Sequence, residues 1–339
     1  MPAPSQERVF YCTGCVKHKD KNPLVTFAIV TACSVCFCSK GVLIKLSFLA
    51  NADPLTVLAL RMAFAFPVFL VCALVLNWKA ESQISKREWG SVLMFGLIGY
   101  YFSPLVNFAG LQYVSVGLER MILYTYPTFV VMGGLIFFGE RVAKRTWIAV
   151  GLTYVGIVIA YSGEMATEVE TRLVVLGAVL ILLSAVSYSF FVLFSSKLIA
   201  RLGAIRFTAN VLCVSCLFTF IHYIVTGRFE ALASTEANVY KYAMILAVFG
   251  TVVPSFLLGV GLRRAGAQQF AVLSTIGPVA TVVLAWAFLG ESVNAAQLTG
   301  LMITLSGGVM ISLFKTKNTS QQRDQSRVTL KSPTALKRA

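Results

Sequence analysis

Apolar runs of roughly 18–25 residues recur along this sequence, each long enough to cross the hydrocarbon core of a bilayer. Ten can be placed, at about 24–47, 54–77, 90–110, 117–138, 146–162, 172–196, 206–226, 240–261, 268–289 and 296–314. Such a chain has few folds open to it. Backbone N–H and C=O groups find no partner in lipid, so each run must be a helix or part of a closed barrel. Barrel strands would be short and alternating. These runs are long and continuously apolar, so the expected class is an all-α polytopic membrane protein. Composition agrees: 57% of the 339 residues are hydrophobic and 13% charged. The first 23 residues are polar and basic, without the apolar centre of a secretory signal.

Lys and Arg orient the spans, because cytosolic loops retain them. Of the 29, 22 fall in the two tails and the even-numbered loops, three (Arg172, Arg228, Lys241) in the odd loops, and four (Lys40, Lys45, Arg61, Arg120) within spans. The split places both termini in the cytosol of a multi-pass protein of the cytoplasmic membrane. The net charge of +15 is then mostly a topology signal, and nucleic acid is not an expected partner.

The chain also repeats itself. Gly110, Leu111, Pro127, Gly139, Glu140 and Gly156 recur as Gly261, Leu262, Pro278, Gly290, Glu291 and Gly307, all at one offset of 151. Ten spans thus divide into two five-span units. An odd number of spans per unit forces the copies into opposite orientations, an arrangement common in secondary transporters. The expected organisation is a cytosolic tail (1–23), a first repeat (24–162), an outer linker (163–171), a second repeat (172–314) and a basic cytosolic tail (315–339).

The five-plus-five layout, the repeated proline and the repeated Gly-Glu resemble the drug/metabolite transporter superfamily, EamA type. The stretches "SKGVLIKLSF", "LALRMAFAFP" and "GLERMILYTYPTFVV" are similar to a bacterial branch of it, and the resemblance covers about residues 24–314. It implies a central cavity lined by both repeats and alternating access. The family's substrates range over amino acids, polyamines, nucleotide-like metabolites and drugs.

Four ionisable residues stand out because a charge within a span is costly and commonly functional. Lys40 lies past the middle of the first span. Arg61 lies about 10 Å into the second, at 1.5 Å per residue. Glu119 and Arg120 open the fourth. The positions 151 or 152 residues later are Val192, Cys213, Phe270 and Ala271, all uncharged. The fold is doubled but the charge is not, which favours a substrate or gating role. Lys40 is expected to carry it, with Glu119 as resting counter-ion; a static brace or snorkelling is the bland alternative. Arg61 reads first as a pin for backbone carbonyls. Arg120 is expected to face the headgroups, and Lys45 to snorkel.

Tyr101, Asn107, Tyr124 and Trp286 offer further polar and aromatic surface, for which packing is the competing role. Pro127 and Pro278 are expected to kink their helices. Glu140 and Glu291 read as a shared structural motif at helix ends, capping the next helix, or as gate contacts.

Cys12 and Cys15 with His18 supply three candidate ligands where a zinc site usually needs four, so no metal is expected. The remaining six cysteines lie in spans, where Cys packs as a small residue. The sequence has no H-E-x-x-H, G-x-S-x-G or P-loop and no aspartate deep in a span, so neither an enzyme nor an ATP motor is expected. No cofactor is called for. The resulting expectation is a secondary transporter, an exporter, of small organic metabolites such as amino acids or related carboxylate or zwitterionic compounds. A channel-like facilitator or a non-transporting scaffold stays as the alternative. Its partners are the small-molecule substrate and the bilayer; proton coupling and a homodimer stay open.

Overall fold

A computed structural model describes residues 23–307, apart from 81, 140–143, 163–167, 228–231, 233–234, 259, 262–263, 265–275 and 292–293. Cys12, Cys15, His18, Glu140, most of the linker and the basic C-terminal tail lie outside the described residues.

Ten helical spans run Pro23–Leu49, Pro54–Trp78, Lys86–Leu111, Val116–Phe138, Lys144–Ser162, Glu168–Leu202, Ala204–Val225, Ala237–Leu258, Ile276–Leu289 and 295–307. Among the described residues, seven helices are apolar and long enough to cross a membrane. The sixth span differs from expectation. It is a single helix of 35 residues, continuing through Lys197, Leu198 and Ile199 to Leu202. Good helix formers fill the segment read as a loop, and Gly203, at φ +83°, makes the turn alone.

Local chemistry sets the ends. Asp53 caps the second span, accepting from the Leu55 and Thr56 amides, with Pro54 in the first turn. Ser85 and Glu88 form a capping box on the third. Gly139 and Gly290, the glycines of the repeated Gly-Glu, have φ of +62° and +66° after the fourth and ninth spans. This left-handed ending is what glycine permits. The repeated motif therefore begins as a helix stop.

Packing displays the two-fold relation directly. A Cβ on Gly156 in the fifth span would stand 2.6 Å from the Gly300 carbonyl oxygen in the tenth. A Cβ on Gly307 in the tenth would stand 2.6 Å from the Ala149 carbonyl oxygen in the fifth. The second contact is the first with the repeats exchanged: 156 becomes 307 and 149 becomes 300, both by the offset of 151. The fifth and tenth spans cross backbone to backbone through small residues, as membrane helices do when packing rather than water drives association.

The second and seventh spans pair with each other. A polar network closes one end of that pair: Arg206 Nε donates to Asn77 Oδ1 at 2.7 Å, Asn77 Nδ2 donates to Asn210 Oδ1 at 2.9 Å, and Arg206 Nη1 donates to the Ser82 carbonyl at 3.0 Å.

The third and eighth spans each contain a π-helical turn, Gly96–Phe102 and Val248–Val252. The Ser103 N–H bonds the Ile98 carbonyl and the Val253 N–H the Val248 carbonyl, five residues back in each case. Gly99 and Gly250, again 151 apart, lie within the two turns. Pro127 acts as a break rather than a mid-helix kink. The fourth span divides into Val116–Leu123 and Tyr126–Phe138, and Pro127 sits in the first turn of the second piece, where its missing N–H costs least. The Thr125 hydroxyl bonds the Ile122 carbonyl at 2.7 Å across the break. Pro278 lies within the described helix Ile276–Leu289, and residues 265–275 before that helix lie outside the described residues.

Candidate functional site

Four of the sequence candidates meet near the Val116 end of the fourth span. Glu119 is 1% exposed and Asn107 2%. Asn107 Nδ2 donates to Glu119 Oε1 at 2.9 Å. A carboxylate only accepts, so the amide must present its NH2 group and turn Oδ1 elsewhere. That Oδ1 and Glu119 Oε2 are both buried without a hydrogen-bond partner among the described residues. Oε2 faces the first span, 3.6 Å from where a Cβ on Gly41 would lie.

Arg61 approaches from the second span and is 4% exposed. Among the described residues it bonds a side chain rather than a backbone carbonyl. Its Nε donates to Thr251 Oγ1 at 2.9 Å, while its buried Nη1 has no hydrogen-bond partner among the described residues. Thr251 lies in the π turn of the eighth span and also reaches back to the Leu246 carbonyl at 3.4 Å. First and second repeats therefore meet at Arg61.

Lys40 is half-buried and makes no ion pair among the described residues. Its Nζ lies 5.4 Å from the centre of the Phe108 ring, and the Arg61 guanidinium carbon 5.7 Å from the same ring. Such contacts return about 0.5–2 kcal/mol each. Withdrawing a cation from water costs several kcal/mol even after relaxation. Phe108 alone does not offset both charges.

The expected Lys40–Glu119 pair is absent. Glu119 instead stands 3.9 Å from Arg120 Nε. Arg120 is turned inward rather than to the headgroups, because its Nη2 reaches the Phe37 carbonyl of the first span at 3.2 Å. Lys45 lies 3.7 Å from Glu291. Glu291 caps the start of the fourth span: both its oxygens accept the Val116 N–H, at 3.2 Å. The end of the ninth span is thus tied to the start of the fourth, one turn from Glu119.

Other candidates lie apart. Trp286 is 64% exposed on the outer surface of the bundle, where an indole faces lipid. Tyr101 bonds His222 Nδ1 at 2.7 Å, away from the cluster. Tyr124 does not lie apart: it closes the first piece of the fourth span, packs against the apolar core and stands within electrostatic reach of Arg120. An open recess of about 450 Å³ lies beyond Lys45, lined by Phe48, Asn51, Asp53 and Gln112 among others, not at the cluster. Thr251 and Phe108 were not among the sequence candidates. The glycine repeat at 99 and 250 was the available signal for the turn that holds Thr251. Among the described residues no group of His, Cys, Asp and Glu is placed to hold a metal ion.

A doubled five-span bundle with charged side chains gathered where its repeats meet has the build of a multi-pass membrane transporter with an internal repeat. The family match is specific. The EamA-like transporter family matches residues 25–162 and 175–313, one copy per repeat, and the chain belongs to that family. It is 30% identical to the uncharacterized transporter YcbK of Bacillus subtilis, across 79% of this chain and 86% of that protein. It is 25% identical to the uncharacterized transporter sll1319 of Synechocystis, across 74% and 77%. A crystal structure 14% identical in sequence superposes with a TM-score of 0.58 over 86% of this chain and 99% of its own, a likeness of fold.

Proposed function

We propose that the protein is a secondary carrier that moves small organic metabolites bearing a carboxylate, amino acids and related compounds, out of the cell by alternating access. One observation carries the reading. Arg61 of the first repeat is bonded to Thr251 of the second, and among the described residues its Nη1, beside Lys40, and acceptor atoms of Asn107 and Glu119 make no hydrogen bond. Donors and acceptors without partners are costly in a membrane interior unless something else engages them.

The 22-to-3 distribution of Lys and Arg supports cytosolic termini. In that orientation Lys45, Val116 and Glu291 lie at the outer face, and the cluster sits just beneath them. Glu291 then closes the outer side, while the π turns and the break at Pro127 are the places where the spans can bend.

The test compares metabolites inside and outside cells that express or lack the protein. A carboxylate or amino acid should fall inside and rise outside on expression. It should then show saturable counterflow in vesicles holding the purified protein. Unchanged metabolites together with absent counterflow would argue for a scaffold.

A further inference from the structure

The charges of the cluster do not balance, and their imbalance has a chemical meaning. Arg120 Nη2 is bonded to the Phe37 carbonyl, and its Nε stands 3.9 Å from Glu119 Oε2, beyond hydrogen-bond reach, so those two opposite charges offset each other while both atoms keep hydrogen-bonding capacity free among the described residues. Lys40 and Arg61 remain. Neither makes an ion pair among the described residues, and both address the same Phe108 ring. With both cations within 5.7 Å of the centre of that ring, the two form one positive locus, and Glu119 and Arg120 lie close enough to Lys40 to act on its charge as well.

A neutral zwitterion brings one carboxylate to this locus and leaves a cation unmatched. A polyamine would add positive charge where two already repel. A dianion supplies the missing charge in full. Two acceptors lack a hydrogen bond among the described residues, Asn107 Oδ1 and Glu119 Oε2, the latter only in ionic contact with Arg120, and they ask for something more: a donor on the same molecule.

Resting on the carrier reading above, we propose that the substrate is a small organic dianion that also carries a hydroxyl donor. Arg61 Nη1 and Lys40 take its negative charges, and Asn107 with Glu119 takes its donor. Thr251 is a positioning residue: by holding Arg61 Nε it aims the free Nη1.

Two dicarboxylates separate the charge requirement from the donor requirement. L-Malate and succinate carry the same charge, but only malate has a hydroxyl. Glycerol 3-phosphate carries its charge on phosphorus, and L-alanine and putrescine represent the zwitterion and the polyamine. Melting of the purified full-length protein is followed with each probe at matched ionic strength. Malate or glycerol 3-phosphate should raise the melting temperature. Whichever acts more strongly assigns carboxylate or phosphate as the anionic group. Malate should bind at least about tenfold more tightly than alanine, with succinate between them. Asn107→Leu should bring malate down to the level of succinate, and Arg61→Gln should remove the response. If Arg61→Gln does not fold, Thr251→Val should still weaken malate binding. Stabilisation by alanine or putrescine without the dianions keeps the carrier reading and overturns this assignment. A malate response untouched by Asn107→Leu and Thr251→Val also overturns it, as does a flat panel. After a flat panel the carrier reading itself is decided by the metabolite comparison.

Discussion

Glu291 reaches from the end of the ninth span to the Val116 amide at the start of the fourth, with both carboxylate oxygens at 3.2 Å. A carboxylate at a helix N-terminus meets free N–H groups and the positive end of the helix dipole. Here the helix belongs to the other repeat, so the cap is also a tie between halves. Glu291→Ala should release it without disturbing either core. Hydrogen exchange at residues 116–119 is expected to rise about 5- to 30-fold, the equivalent of one to two kcal/mol. Unchanged exchange would show that the tie contributes nothing.

The crossing of the fifth and tenth spans makes two opposite expectations for one substitution. Gly156→Ala would place a methyl 2.6 Å from the Gly300 carbonyl oxygen, so the helices must separate. A loss of about 1–3 kcal/mol is expected, as for other overpacked interiors. Gly151→Ala, one turn or so away on the exposed face with nothing within 4 Å, should be neutral or gain up to about 1 kcal/mol from helix propensity. Thermal unfolding of the two purified variants in the same detergent measures the difference. Equal effects would mean that the crossing is not tight.

Orientation follows from charge and is open to direct measurement. Reporter fusions after Arg141 and at Lys315 should both report the cytosol, and a fusion near Glu168 the outside. A C-terminal reporter on the outside would remove the basis for placing Glu291 and Lys45 at the outer face.

The ten spans were legible because a bilayer imposes one length and one polarity on every crossing. The doubling was legible because matching glycines and prolines mark matching backbone positions. What Gly139 and Gly290 do became clear only from their positive φ, and the Gly156 and Gly307 contacts only from the crossing. Lys40, Arg61, Asn107 and Glu119 were legible as polar residues in an apolar setting, and they do gather. Their partners were not. Helical spacing does not say which neighbouring span a side chain meets, so Arg61 was not traceable to Thr251, nor Glu119 to Asn107 and Arg120. Trp286 misled for the same reason: an aromatic residue in a span faces lipid as readily as a cavity.

The most direct test of a transport site at this cluster is counterflow by Lys40→Ala in vesicles, using the compound that the metabolite comparison picks out. Lys40 makes no ion pair among the described residues, so its loss should leave a folded, inserted protein. Gel filtration and a melting curve beside the wild type check that. Transport is expected to fall to background, and Lys40→Arg should restore little, because a planar guanidinium does not replace a compact ammonium. Wild-type flux through a well-folded Lys40→Ala protein would contradict the account and place the site elsewhere.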